Sequence, residues 1–159
     1  LVTLAEAYPR GRVVGVDIEP RSVEIATARI LAAGLEDRAE ARLGSAEDLV
    51  ERGAFDLVTM IQALHEIQED VRSTVLARAH AALRPGGMLL IIDEPYPHAV
   101  SGLREAPAAA LLQFIESFMG HVLLSPENQR QTIESAGFQV LSQMVPEPGL
   151  ICVTIAQRG

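Results

Sequence analysis

A single histidine follows an apolar run in the stretch "MIQALHEIQED", residues 60–70. A histidine of near-neutral pKa can remove a proton from a phenolic hydroxyl, and a carboxylate can fix its tautomer. His65 is therefore a candidate general base. Its alternative role is to cap the strand end or to hydrogen-bond the backbone. Glu66 comes directly after it and is interpreted as a solvated acid at the entry of the next helix.

Two other apolar runs that are interpreted as strands end in acidic residues. These acids are candidate ligand-binding residues, because ligands of parallel sheets bind at the carboxyl ends of the strands. Asp17 ends the first run, where a carboxylate can accept both hydroxyls of a ribose. Its alternative is to start the following helix, a role that Glu19 could share. Asp93 and Glu94 end the later run, and strand alternation sends one of the two inward.

Helical and strand patterns alternate along the chain, which predicts an α/β fold with a doubly wound, mostly parallel sheet. The last two strands are joined by a short connection with Pro146 and Pro148, so they should pair antiparallel and place an antiparallel strand at one edge. The predicted strands cover 12–18, 39–44, 55–61, 88–93, 138–145 and 150–157. The predicted helices cover 1–8, 21–34, 46–52, 68–83, part of 104–123, and a last stretch from Ser125 to 136–137, while 85–87 form a turn.

Composition narrows the class of partner. All 13 basic residues are arginine, so chemistry that needs a lysine, such as Schiff-base formation, has no residue to carry it. The net charge is −8 and the arginines are scattered, which argues against nucleic acid and favours a small-molecule partner. The 159 residues, 48% of them hydrophobic, suit one globular domain.

No apolar run is long enough to cross a bilayer, and no secretory pattern opens the chain. Cys152 is the one cysteine and lies in the run "LICVTIA", where it is interpreted as a small buried apolar residue rather than a nucleophile. A reducing, cytoplasmic setting without membrane contact is therefore expected.

Five segments follow the motif order of class I S-adenosylmethionine-dependent methyltransferases, and the chain resembles that family over nearly its whole length. They are "VVGVDIEPRSVEIATAR", "LGSAEDL", "FDLVTMIQALHEI", "LRPGGMLLIIDE" and "SPENQRQTIESAGF". The resemblance implies a Rossmann-like fold with S-adenosyl-L-methionine as the cofactor. It also implies that the family's first strand and glycine-rich loop should precede Leu1. Residues 1–159 are accordingly expected to form a single methyltransferase-like domain that is incomplete at its N-terminal end, with the first strand missing.

The resemblance also implies a cofactor site. Asp17 should bind the ribose, and Ile18 should lie against the adenine. Ser45 stands where the family has an aspartate that contacts the adenine amino group, so a hydroxyl would have to make that contact. Ala46 should donate its backbone N–H to the cofactor. Ile61 and Gln62 should contact the cofactor from the turn at a strand end.

Within the family, the segment from 63 to 94 is similar to a branch of small-molecule O-methyltransferases. That branch carries a His-Asp-Trp stretch whose histidine deprotonates a substrate hydroxyl, and His65-Glu66-Ile67 lies in register with it. An acid at the end of the next strand orients the histidine, and Asp93 falls at that position without a gap. The branch uses no metal for oxygen methylation. Proteins of this branch usually dimerise through an N-terminal region, so a homodimer is a possible assembly of this protein.

The function expected from the sequence is methyl transfer from S-adenosylmethionine to a small molecule, with a hydroxyl oxygen as the acceptor and His65 and Asp93 as catalytic residues. One alternative is a methyltransferase-like binding or regulatory domain without catalysis, and another is a nicotinamide-dependent dehydrogenase. Phe114, Phe118 and Met119 recur at helical spacing and either line a substrate pocket or pack in a core or dimer. The other candidates near them are Tyr96, His98 and His121.

Overall fold

The computed structural model describes residues 1–97, 102, 107–146 and 150–159. The chain forms two compact units, Leu1–Leu49 and Val50–Gly159. The single-domain organisation stays a prediction. His98 and Pro148 lie outside the described residues. Within them, the helices are all too short or too polar to span a membrane.

The first unit packs two helices against a small parallel sheet. Its hydrophobic core is formed by Ala5, Ile30, Leu35 and Ala39. The strands pair in register from Val13 opposite Ala39 to Asp17 opposite Leu43. The elements are α1 (Val2–Ala7), β1 (Val13–Asp17), α2 (Pro20–Ala32), β2 (Ala39–Leu43) and a 3₁₀ turn (Ala46–Asp48).

The second unit is a four-stranded mixed sheet in the order β3-β4-β6-β5. β3 and β4 run parallel, whereas β6 runs antiparallel to both β4 and β5. The elements are β3 (Phe55–Ile61), α3 (Glu69–Ala82), β4 (Leu83–Asp93), α4 (Pro107–Ser117), α5 (Pro126–Ser135), β5 (Phe138–Met144) and β6 (Cys152–Arg158).

The α/β class, the parallel pairing and the antiparallel C-terminal strand pair are confirmed. Within that pair β5 forms the edge of the sheet, and β6 lies between β4 and β5. Ser125 caps α5 as predicted, because its hydroxyl accepts the N–H of Asn128 at 3.1 Å. Pro126 then occupies the first turn, where a missing N–H costs nothing.

Two sequence-based boundaries were wrong. The helix predicted over 46–52 is only the 3₁₀ turn Ala46–Asp48, because the backbone already leaves helical geometry at Leu49, with ψ at 123°. The turn predicted at 85–87 lies inside β4, which begins at Leu83. Gly86 permits this with a φ of +76°, and the register of β4 against β3 shifts between Phe55 and Leu57.

Candidate active site

β4 delivers a carboxylate to the interior because its side chains alternate across the sheet. Leu89 and Ile91 are fully buried on one face, and Asp93 continues that face with only 3% of its surface exposed. Glu94 follows the strand and is half-buried. The sequence left open which acid turns inward, and the structure places Asp93 in the buried row.

His65 reaches that carboxylate from the end of the neighbouring parallel strand. After β3, the Gln62 N–H still donates to the Ile92 carbonyl at 2.7 Å, which continues the pairing of the two strands beyond Ile61. Gln62 then takes a φ of 50°, a left-handed conformation that is unusual for a residue other than glycine, and the chain bends there. The bend leads into Leu64 and His65, which are both buried.

Asp93 holds His65 at two points. The backbone N–H of His65 donates to Asp93 Oδ2 at 3.0 Å, and the ring Nδ1 lies 2.5 Å from Oδ1. The Glu94 N–H donates to the same Oδ1 at 3.1 Å. Both oxygens of the carboxylate are therefore used, and the position and the ring orientation of the histidine are fixed together.

The surroundings of His65 raise its pKa. Burial by itself disfavours the imidazolium and lowers the pKa, but the hydrogen bond to Asp93 and the negative charges of Asp93, Glu94 and Glu116 outweigh it. The net effect places the pKa above the ordinary value of 6.5. A histidine in these surroundings is a stronger proton acceptor than one in water.

Glu94 is a second acid beside the same ring nitrogen. Its Oε2 lies 3.4 Å from His65 Nδ1, while its Oε1 accepts the Gln62 side-chain amide at 2.6 Å. Oε2 itself is buried and has no hydrogen-bond partner among the described residues. Potential ligand atoms of His65, Asp93 and Glu94 lie within 4.8 Å of one another, yet the short contact from Nδ1 to Asp93 already accounts for this cluster.

Glu116 faces the other ring nitrogen and was missed by sequence reasoning. Its Oε2 lies 4.0 Å from His65 Nε2 and 2.8 Å from His121 Nδ1. The rings of His65 and His121 meet edge to face with centroids 6.3 Å apart. One signal could have pointed to it: Glu116 is the one charged residue in the mostly apolar helix α4, "PAAALLQFIES".

Backbone hydrogen bonds tie the segment after α4 to the histidine. The Val122 N–H donates to the His65 carbonyl at 3.3 Å, and the Tyr96 N–H donates to the Leu124 carbonyl at 2.9 Å. Gln113 donates its side-chain amide to the His121 carbonyl at 3.1 Å and accepts the Leu123 N–H at 2.9 Å. The segment that carries Glu116 and His121 is thereby fixed beside His65.

Two of the residues assigned to the cofactor lie at the end of β1. Asp17 is exposed and uses Oδ1 to accept the Glu19 N–H at 2.8 Å. The helix-starting role falls to Glu19, which caps α2 by accepting the Arg21 N–H. Ile18 is 73% exposed, which is unusual for so large an apolar side chain. An exposed carboxylate followed by an exposed apolar surface fits a ribose and an adenine.

Ser45 and Ala46 lie at the start of the 3₁₀ turn that follows β2. The Ser45 hydroxyl accepts the Glu47 N–H and donates to the Glu47 carboxylate, both at 3.2 Å. This side chain therefore serves as a local cap, and its oxygen keeps one further lone pair for another donor. Ala46 is half-buried.

The remaining candidates are distributed as follows. Ile61 is 56% exposed at the end of β3, next to Gln62. The rings of Phe114 and Phe118 contact edge to face at 5.0 Å, and both side chains are mostly exposed, as is Met119. Burial raises the pKa of Cys152, which fits its interpretation as a buried apolar residue and not a nucleophile.

Comparisons with known proteins find methyltransferases among the proteins that this chain resembles. A family model described as a methyltransferase domain matches residues 1–87, more than half of the chain. The demethylspheroidene O-methyltransferase of Rhodobacter capsulatus is 32% identical over 117 residues, which are 71% of this chain and 28% of that protein. The erythromycin 3''-O-methyltransferase of Saccharopolyspora erythraea is 39% identical over 90 residues, which are 55% of this chain and 28% of that protein.

A solved structure extends the likeness to the whole fold. It is an O-methyltransferase from neocarzinostatin biosynthesis in complex with S-adenosylmethionine and 2-hydroxy-5-methyl naphthoic acid. The TM-score is 0.77 at 20% identity, over 99% of this chain and 44% of that one. At this identity the likeness concerns the fold. The chain spans less than a third of the length of either curated relative above.

Proposed function

The chain belongs to the class I S-adenosylmethionine-dependent methyltransferase family, which has a Rossmann-like fold and S-adenosylmethionine as its cofactor, and we propose that the protein transfers a methyl group to a hydroxyl oxygen of a small molecule. His65 acts as the general base and Asp93 orients it. The observation that carries the proposal is the buried pair at two strand ends, in which Asp93 engages Nδ1 and leaves Nε2 for a substrate.

The pair suits the one proton transfer that the reaction needs. When bound, S-adenosylmethionine supplies an activated methyl group on a sulfonium sulfur. The substrate hydroxyl would donate to Nε2, and its proton would pass to that nitrogen as the oxygen takes up the methyl group that the cofactor supplies. Asp93 keeps the Nδ1 proton in place and stabilises the imidazolium that results.

The cofactor residues proposed here are those that the family resemblance implies, and each unit is considered by itself. Asp17 binds the ribose hydroxyls, because its Oδ2 stays available when Oδ1 accepts the Glu19 N–H. Ile18 offers apolar surface to the adenine. The Ser45 hydroxyl oxygen accepts the Glu47 N–H and keeps a second lone pair that can accept from the adenine amino group. The backbone N–H of Ala46 is the other proposed contact of the first unit. In the second unit, the proposed residues are Ile61 and Gln62 at the strand-end turn.

One observation favours the second candidate, a methyltransferase-like binding or regulatory domain without catalysis. Ser45 stands where the family has an aspartate, and a neutral hydroxyl is a weaker acceptor for the adenine amino group than a carboxylate. Such a domain would bind the cofactor poorly and would turn over no substrate. The nicotinamide-dependent dehydrogenase, in contrast, is set aside by the family assignment.

Cofactor binding and turnover test the proposal on the full-length protein. Titration with S-adenosylhomocysteine in a calorimeter should show saturable binding, and His65→Ala should leave that binding intact while turnover falls by about a hundredfold or more, the usual share of a general base. Glu66→Ala is the matched control, because Glu66 is adjacent and exposed. Absence of cofactor binding would favour the non-catalytic domain. Unchanged turnover in His65→Ala would remove His65 from the mechanism.

A further inference from the structure

Resting on the proposed function, we infer that Glu116, held by His121, selects substrates that carry a second hydrogen-bond donor next to the acceptor hydroxyl. Vicinal dihydroxy compounds are the substrate class that fits best. Glu116 Oε2 lies 4.0 Å from His65 Nε2, the ring nitrogen to which the proposed acceptor hydroxyl donates. Glu116 thus acts as a specificity-determining residue that contacts the substrate directly.

The spacing of the two acceptor atoms suits two neighbouring hydroxyls. Glu116 Oε2 and His65 Nε2 lie 4.0 Å apart, which is too far for a direct hydrogen bond between them. Two hydroxyl oxygens about 2.8 Å from each other would span this gap, with each donating over roughly 2.8 Å to one acceptor. A lone hydroxyl has one proton and can satisfy only one of the two acceptors.

Glu116 is held so that it can play this part. His121 Nδ1 binds its Oε2 at 2.8 Å, and the His121 N–H donates to the Glu116 carbonyl at 3.1 Å. The side chain of Glu116 is 12% exposed and that of His121 is 20% exposed, so little water competes for the carboxylate. His121 is therefore a positioning residue, because it acts through Glu116.

The local charge works against anionic substrates. Asp93, Glu94 and Glu116 surround His65, and its two ring nitrogens lie within 4.0 Å of their carboxylates. A substrate carboxylate next to the acceptor hydroxyl would meet Glu116 at short range in a poorly solvated site. Neutral vicinal dihydroxy compounds are favoured over ortho-hydroxy acids for this reason.

Three probes of similar size separate these effects: catechol, phenol and 2-hydroxybenzoate. Their dissociation constants and their kcat/KM values are measured with the full-length protein. The wild type should bind catechol about tenfold or more tightly than phenol, the effect of one hydrogen bond to a charged acceptor, and 2-hydroxybenzoate most weakly. Glu116→Gln should reduce the preference for catechol and improve relative binding of 2-hydroxybenzoate, since the new amide can donate.

Two further variants keep the test sharp. His121→Gln should reduce the catechol preference in part, because Glu116 loses its anchor, whereas the exposed Glu66→Gln carries the same charge change and should alter nothing. Equal binding of the three probes by the wild type, or no binding of any, overturns the inference. A catechol preference in binding without methyl transfer would sink the proposed function alone. Methyl transfer with equal kcat/KM for catechol and phenol would sink the inference alone.

Discussion

Replacing Asp93 by asparagine should remove most of the base catalysis by His65. In the wild type the two carboxylate oxygens accept from two donors of one residue, the backbone N–H and the ring Nδ1 of His65. Asparagine has a single acceptor oxygen and a donor amide in their place. Asp93→Asn therefore cannot accept from both the backbone N–H and Nδ1–H, whichever way its amide is turned.

Each orientation of the amide has a definite cost. If the oxygen accepts the backbone N–H, the amide donates to Nδ1 and forces the ring proton onto Nε2, where it blocks proton acceptance from the substrate. If the oxygen accepts Nδ1–H, two donors face each other in a buried site, which costs about 1–3 kcal/mol of stability. In the first case we expect turnover to fall by about 10²–10³-fold, close to the whole contribution of a general base.

The pH profile supplies the decisive readout. Turnover needs neutral His65, and its pKa is raised, so the wild-type rate should increase with pH along a limb centred above 6.5. Asp93→Asn removes both the hydrogen bond and the nearest charge that raise this pKa, so any residual activity should rise at lower pH. Formation of S-adenosylhomocysteine between pH 5 and 10, with Glu94→Gln as the control that removes only a charge at 3.4 Å, measures this. A rate within threefold of wild type and an unmoved limb would refute the reasoning.

Two further predictions concern stability. The pKa of His65 is higher in the folded chain than the ordinary 6.5 of the unfolded one, so its ion pair with Asp93 stabilises the fold fully below about pH 6.5, and this stabilisation is lost as pH rises through the folded pKa. In urea unfolding, Asp93→Asn should therefore lose more unfolding free energy relative to wild type at pH 5.5 than at pH 9. An equal loss at both pH values would contradict the pairing. Gln62→Gly should be about 1 kcal/mol more stable than Gln62→Ala. Both variants lose the amide contact to Glu94, but only glycine accepts a φ of 50° without strain. Equal unfolding free energies of the two variants would show that the turn relaxes.

The parts of the site that follow from neighbouring parallel strands could be predicted from the sequence. The limits of β3, residues 55–61, are those of the apolar run, and the end of β4 coincides with the predicted end at 93. Once two such strands are adjacent, their carboxyl ends meet at one edge, so the approach of His65 to Asp93 follows from topology alone. Which acid turns inward needed only the alternation of β4.

The parts that depend on longer-range packing could not be predicted. Glu116 reaches Nε2 because the Val122 N–H binds the His65 carbonyl, a contact between residues 57 positions apart that no local pattern encodes. The capping role of Ser45 likewise depends on the 3₁₀ turn that follows it. Local periodicity specifies elements, whereas the residue opposite a catalytic side chain is set by the path of the chain between them.

Base strength and substrate choice are coupled at this site through the same charges. Asp93, Glu94 and Glu116 raise the pKa of His65, which makes it a better proton acceptor but leaves it protonated over more of the physiological range. A bound donor that hydrogen-bonds to Glu116 would weaken the pull of that carboxylate on the imidazolium and so lower the pKa of His65. A vicinal dihydroxy substrate would thereby favour the neutral histidine that its own deprotonation requires, whereas a monohydroxy substrate would not.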